Sequence, residues 1–142
     1  MGSGNGSGWV RPSGGYVSSH YSGNRPACNN GYCTYAHTGT DLAAGMGTAI
    51  VAATSGTVAL SGWVGGGGGN MVYINHNGGL QTRYAHMSAI YVSPGQWVNT
   101  GQVIGLVGST GNSSGPHLHF EVLVGGGFVD PYYFMGDRGI WF

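Results

Sequence analysis

The sequence predicts an all-β protein, with antiparallel sheets in a compact sandwich or open-barrel core and long loops forming a groove. Three observations carry that reading. Glycine supplies 31 of the 142 residues, without the strict every-third spacing of collagen. Short apolar or alternating runs recur between clusters of Gly, Asn, Pro and Ser, which is strand-and-turn chemistry. Helix signals are nearly absent, since the longest stretch of good helix formers, 41–47, contains Gly45 and Gly47.

Taken in order, residues 48–53 form an apolar run closed by Ser55-Gly56, and 57–60 follow as its expected hairpin partner. The segment 63–69 holds five consecutive glycines, Gly65 to Gly69, and reads as a mobile loop. Residues 70–76 alternate, Asn77-Gly78-Gly79 closes them, and 80–87 resume the pattern. An Asn-Gly step between two alternating runs is a strong hairpin signal. Residues 97–98, 102–107 and 117–124 complete seven or eight strands, separated by Pro94-Gly95, Thr100-Gly101 and the stretch 108–116.

The length suits one domain. Residues 1–10 read as a flexible Gly/Ser linker or expression remnant, and 11–142 as the folded domain. The N-terminus lacks the basic region and apolar core of a signal peptide. The expectation is one domain of a larger bacterial or phage-derived protein, or a protein delivered without its own export signal.

Charge is scarce. Four arginines stand against four carboxylates, with no lysine, and the formal net charge is zero. Scattered arginines do not make the clustered patch that nucleic acid or an anionic membrane surface requires. No apolar run approaches the roughly 18 residues that span a bilayer. A hydrophobic fraction of 41% with no net charge separates the chain from disordered sequences.

Cys28 and Cys33 flank Asn29-Asn30-Gly31, a turn sequence that can bring two sulfurs within bridging distance. A small local disulfide is expected, implying an oxidising, extracellular setting. Two free thiols are the alternative; a metal pair lacks partners at matching spacing.

Six histidines are many for so uncharged a chain. In a strand, His117, His119 and Glu121 share one face and Leu118, Phe120 and Val122 the other. Two imidazoles then project from a backbone whose opposite face is apolar. In a straight strand His37 and Asp41 would lie about 13 Å apart, too far for one ion. A bend at Gly39 brings one nitrogen and one carboxylate to the same point, since glycine accepts unusual backbone angles. His37, Asp41 and one of the two strand histidines make a three-ligand set, and a catalytic zinc takes three protein ligands and leaves one position open. The other strand histidine and His86 remain as non-ligand imidazoles. HExxH is absent.

The order His37-x-x-x-Asp41, then Tyr84-x-His86, then His117-x-His119 resembles the lysostaphin-type (LytM-like) zinc endopeptidases, peptidase family M23. The segments 47–58, 101–111 and 115–121, and Val129-Asp130-Pro131, resemble the family too. The likeness extends over about residues 11–133. It implies His37, Asp41 and His119 as ligands of one Zn2+ per chain. It implies His86 and His117 as the catalytic pair beside the water position, with the choice of general base open. Glu121 is read as structural, and His20 and His76 as surface residues.

The resemblance further implies cleavage of peptide bonds in bacterial peptidoglycan, either glycyl bonds in cross-bridges or D-alanyl bonds in cross-linked stem peptides. Action would be extracellular or at the cell wall, or follow phage delivery, on the peptide moiety and as a monomer. The many aromatics suit a groove for a flexible, weakly charged peptide. Tyr21, Tyr32, Tyr35, Trp63 and Tyr91 are the candidate walls, and cross-bridge cleavage is the favoured choice. A degenerate wall-binding or activator domain of the same fold is the alternative, and a carbohydrate-binding sandwich a third reading. Zinc content separates enzyme from lectin.

Overall fold

The computed structural model describes residues 8–22, the backbone of 27–29 and 32–34, and residues 37–142. Among them run β1 (Tyr16–Ser19), β2 (Ala27–Asn29), β3 (Tyr32–Thr34), β4 (Thr40–Ala43), β5 (Ala49–Val51), β6 (Gly56–Val64) and β7 (Gly69–Asn75). There follow β8 (Leu80–Ala85), β9 (Met87–Ile90), β10 (Trp97–Val98), β11 (Val103–Val107), β12 (His117–Val124), β13 (Gly127–Val129) and α1 (Pro131–Gly136).

One large antiparallel sheet runs in the order β1-β4-β12-β8-β7-β6-β10, with β13 hydrogen-bonded to β12. A second sheet has the order β5-β11-β9, and β2 and β3 form a separate two-stranded ladder. The all-β antiparallel expectation therefore holds. The two larger sheets bury one apolar cluster, in which Ile50, Ile104 and Val107 meet Leu42, Val58, Val72, Leu118 and Phe120. Each such side chain removed from water contributes about 1.5–3 kcal/mol before entropy is counted.

Residues 48–53 and 57–60 are not hairpin partners. β5 pairs with β11, and β6 pairs with β7 and β10. Ile50 and Val58 are both buried, and the chain turns between them from one sheet to the other so that both reach the same core. The expected hairpin across Asn77-Gly78-Gly79 is present between β7 and β8, with Gly78 and Gly79 at positive φ.

The glycine run is a hairpin turn between β6 and β7, tied into the fold rather than loose. The Gly67 carbonyl accepts from the Asn112 amide at 2.9 Å, and the Gly68 carbonyl from the His86 amide at 2.9 Å. Glycine is needed for close approach: a Cβ on Gly69 would lie 2.5 Å from the Thr110 carbonyl carbon.

Helix α1 went unread in the sequence, although its start carries a signal. Asp130 is the N-cap, its carboxylate accepting from the Tyr132 amide, and Pro131 opens the first turn. His76 is not a surface residue. It is partly buried, one ring nitrogen donating to the Ser55 carbonyl at 2.7 Å and the other 2.9 Å from Thr82 Oγ1. Among the described residues no helix is long and apolar enough to cross a membrane.

Candidate functional site

β12 carries the centre of the site. It lies between β4 and β8, and its ladder sets His119 opposite Asp41 on one side and Ala85 on the other. The alternation expected from sequence is realised: Leu118, Phe120 and Val122 are fully buried beneath it. His86 follows directly on β8 and so reaches the same edge as His117; their ring centroids are 4.7 Å apart.

The bent segment before β4 brings in His37. Gly39 sits at the bend, but its backbone is not left-handed, so the reason for glycine differs from the one expected. Space is what requires it. A Cβ there would stand 2.4 Å from the Phe120 carbonyl oxygen and 2.9 Å from His119 Cε1.

Three imidazole nitrogens converge on one carboxylate oxygen. From Asp41 Oδ1, His119 Nδ1 is 2.8 Å away, His37 Nε2 3.3 Å and His117 Nε2 3.7 Å. One donor atom each from His37, Asp41 and His119 lie within 4.8 Å of one another, and these three could hold a metal ion.

The other ring nitrogen of each histidine in the site is taken. His37 Nδ1 is 2.8 Å from the His20 carbonyl, His117 Nδ1 2.8 Å from the Gly115 carbonyl, and His86 Nδ1 2.7 Å from the Thr110 carbonyl. A carbonyl oxygen only accepts, so each of these nitrogens carries the proton. In the neutral form of His86 or His117 the Nε2 lone pair is thereby left available, whereas His37 Nε2 faces Asp41 Oδ1. His119 is held in the opposite sense, with Nε2 2.9 Å from Glu121 Oε2 and Nδ1 turned to Asp41.

His86 has φ of 61°, the one non-glycine among the described residues in the left-handed region. That conformation costs an L-residue about 1–2 kcal/mol. The His86 amide bond to Gly68 and the ring bond to Thr110 hold it there.

Above these groups opens a cleft of about 510 Å³. The Gly65–Gly68 turn forms one wall, and Asn112 to Ser114 line it as well. Its aromatic lining, among the described residues, is Tyr73 and Phe128. Trp63 and Tyr91 are exposed but do not line it, and Trp63 is the strand neighbour of Val64, which does. Tyr21 lies outside the lining, its hydroxyl 3.4 Å from the Phe128 carbonyl. Tyr35 and the side chain of Tyr32 lie outside the described residues. The side chains of Cys28 and Cys33 do so too, although their backbones are register partners across β2 and β3.

Burial alone would raise the Asp41 carboxyl, but hydrogen bonds from His119 and His37 outweigh it and hold the group well below the usual carboxylate range. Burial would lower His119, yet its bonds to Asp41 and Glu121 push it up to about 9. The bond to Asp41 raises His37. His86 goes the other way, lowered chiefly by desolvation, and so favours the neutral form. The cluster thus pairs a carboxylate hydrogen-bonded by two imidazoles with a neutral imidazole beside it. That donor chemistry, two nitrogens and one carboxylate oxygen, fits a catalytic-type metal position.

Residues 35–131 match the family described as Peptidase family M23. The chain belongs to peptidase family M23. The DD-carboxypeptidase/endopeptidase Mpg of Neisseria meningitidis is 48% identical over 95 residues, covering 67% of this chain and 22% of that protein. Lysostaphin of Staphylococcus simulans is 42% identical over 89 residues, covering 62% of this chain and 18% of that protein. The chain therefore spans about a fifth of the length of these curated relatives. Among solved structures, a putative peptidase M23 from Pseudomonas aeruginosa superposes with a TM-score of 0.76 at 33% identity, covering 96% of this chain and 52% of that one. Lysostaphin from Staphylococcus simulans superposes with a TM-score of 0.71 at 34% identity, covering 85% of this chain and 50% of that one.

Two features of the M23 site escaped the sequence reading. The carbonyls of Thr110 and Gly115, which set the tautomers of His86 and His117, leave no side-chain signature. Glu121 was visible as a member of the histidine face of β12, but its contacts with Thr38 and Arg83 depend on chain pairing.

Proposed function

We propose that this chain is a zinc endopeptidase domain that hydrolyses peptide bonds in bacterial peptidoglycan, with cross-bridge glycyl bonds as the favoured substrate. The observation that carries the reading is the convergence of His37 Nε2, Asp41 Oδ1 and His119 Nδ1 beside the His86–His117 pair. His37, Asp41 and His119 would hold the ion. When bound, zinc with three protein ligands supplies Lewis-acid chemistry at its open position, activating water and polarising a carbonyl.

The remaining chemistry belongs to the protein. His86 Nε2 has a free lone pair, because its Nδ1 proton is committed to Thr110, and a neutral ring, because burial favours it. It is the better placed of the two to accept a proton from the attacking water. His117 Nε2 lies on the Asp41 side and, once protonated, can donate to the developing oxyanion or the leaving amine. The glycine turn offers backbone groups along the cleft, which suits a small, weakly charged peptide read through its main chain.

The printed names of the relatives support the substrate class. Mpg is named for DD-carboxypeptidase and endopeptidase activity, and a Vibrio cholerae relative 45% identical over 96 residues is named a peptidoglycan DD-endopeptidase. The parent protein is expected to be larger and to act at the wall. A Cys28–Cys33 bridge belongs to the same reading, supported by their facing register. The test is digestion of purified walls of several cross-bridge types, with mass spectrometry of the released fragments and zinc measured on the same sample. Fragments ending at glycyl bonds support the cross-bridge choice, and D-alanyl ends move the assignment to stem peptides. No release by zinc-loaded protein defeats the enzyme reading.

A further inference from the structure

We propose that Glu121 is a positioning residue that fixes His119 and ties together the two chain segments supplying the metal ligands. The proposal rests on the metal-site reading above.

Glu121 is buried, 7% exposed, on the same face of β12 as His119. Its Oε2 lies 2.9 Å from His119 Nε2 and also accepts from the Thr38 hydroxyl. Thr38 adjoins His37 in the segment that leads to Asp41, so one carboxylate oxygen binds both β12 and the His37–Asp41 bend. With Nε2 held by Glu121, it is Nδ1 that faces Asp41, where it donates to Oδ1, and that would ligate an ion bound there in the tautomer that keeps the Nε2 proton. Without that acceptor the ring could adopt the other tautomer or turn about its bond to Cβ.

The carboxylate is itself held. Arg83 is the register partner of Glu121 across β8, with Nη1 3.9 Å from Oε1. The guanidinium lies 4.2 Å from the Tyr73 ring centroid, and its Nε donates to Gln81 Oε1 at 2.6 Å. A chain of contacts therefore runs from Tyr73 and Gln81 through Arg83 and Glu121 to His119. A carboxylate that orients a ligating imidazole typically contributes 10–100-fold to metal affinity.

The test measures zinc affinity by chelator competition, and the absorption spectrum of the cobalt-loaded protein, for wild type, Glu121→Gln, Glu121→Ala and a core control, Val98→Ala. Val98 is fully buried in β10, away from the site. Glu121→Ala should weaken zinc binding by about 10–100-fold. Glu121→Gln keeps an acceptor for Nε2 and should lose less, and both should alter the cobalt spectrum. The control should lower thermal stability while keeping affinity and spectrum. Wild-type affinity in both Glu121 variants overturns the proposal. So does equal loss in the control at matched loss of stability, which would make the role merely structural. If Glu121→Ala fails to fold, Glu121→Gln decides by the same two readouts. Failure of wild type to bind zinc overturns the metal-site reading and this proposal with it; zinc bound equally by all variants removes only this one.

Discussion

Asp41 and His119 stand directly opposite each other on β4 and β12, with Oδ1 and Nδ1 2.8 Å apart. They are 78 positions apart in the chain, yet ladder register alone makes them neighbours. A one-residue slip of β4 against β12 would turn Asp41 to the buried side, where Leu42 now sits fully enclosed. The apolar core therefore enforces the geometry of the polar site.

His37→Ala, Asp41→Ala and His119→Ala should each lose bound zinc together with wall-cleaving activity. Zinc bound only by the folded state adds about 2.7 kcal/mol when free metal is 100 times its dissociation constant. The variants should accordingly lose the zinc-dependent rise in Tm seen with wild type. Metal analysis after gel filtration, paired with thermal melts, checks this. A variant with both full zinc and full rate would remove that residue from the ligand set.

His86→Ala and His117→Ala should keep zinc near one per chain while turnover falls. Losing general acid–base help costs about 10²–10⁴ in rate. The double variant should fall short of the product of the two losses, since both rings serve one transition state. If His117→Ala sheds zinc while His119→Ala retains it, the two strand histidines exchange roles.

Gly39→Ala should be costly even though the position does not need a left-handed backbone. Its new methyl group would meet the Phe120 carbonyl oxygen, part of the central β12 backbone, and the His119 ring. Overpacking of this kind typically costs about 1–3 kcal/mol. Because the clash separates the His37–Asp41 bend from β12, zinc affinity should fall too. Normal stability and normal affinity would show that the segment can shift freely.

His76 should make the fold acid-sensitive. Burial holds its ring below the ordinary histidine value, against the opposing effect of its bond to the Ser55 carbonyl. The unfolded chain therefore takes up this proton first as pH falls. Stability attributable to His76 is present above about pH 6.5 and is lost as pH drops towards its folded value. His76→Gln removes the titration. Melts run in chelator at pH 7 and pH 5 should show a larger drop for wild type than for the variant. Equal drops would mean that His76 does not contribute to acid sensitivity.

Read alone, the sequence determined the all-β class, the β7–β8 hairpin, and the common face of His117, His119 and Glu121. These follow from local rules, the two-residue strand period and the φ > 0 demand of an Asn-Gly turn, which any few consecutive residues express. The ordered histidine motifs also marked the M23 resemblance. Tertiary structure alone decided the rest. It sent β5 and β6 to different sheets, because each apolar strand needed the opposite layer to bury against. It turned the glycine run into an anchored cleft wall and placed Tyr73 and Phe128, rather than Trp63 and Tyr91, along the cleft. It brought distant partners to two of the histidines: Thr110, 24 positions on, to His86, and Asp41, 78 positions back, to His119. Backbone carbonyls and strand register make those choices, and neither is written in the identity of the residue they act on.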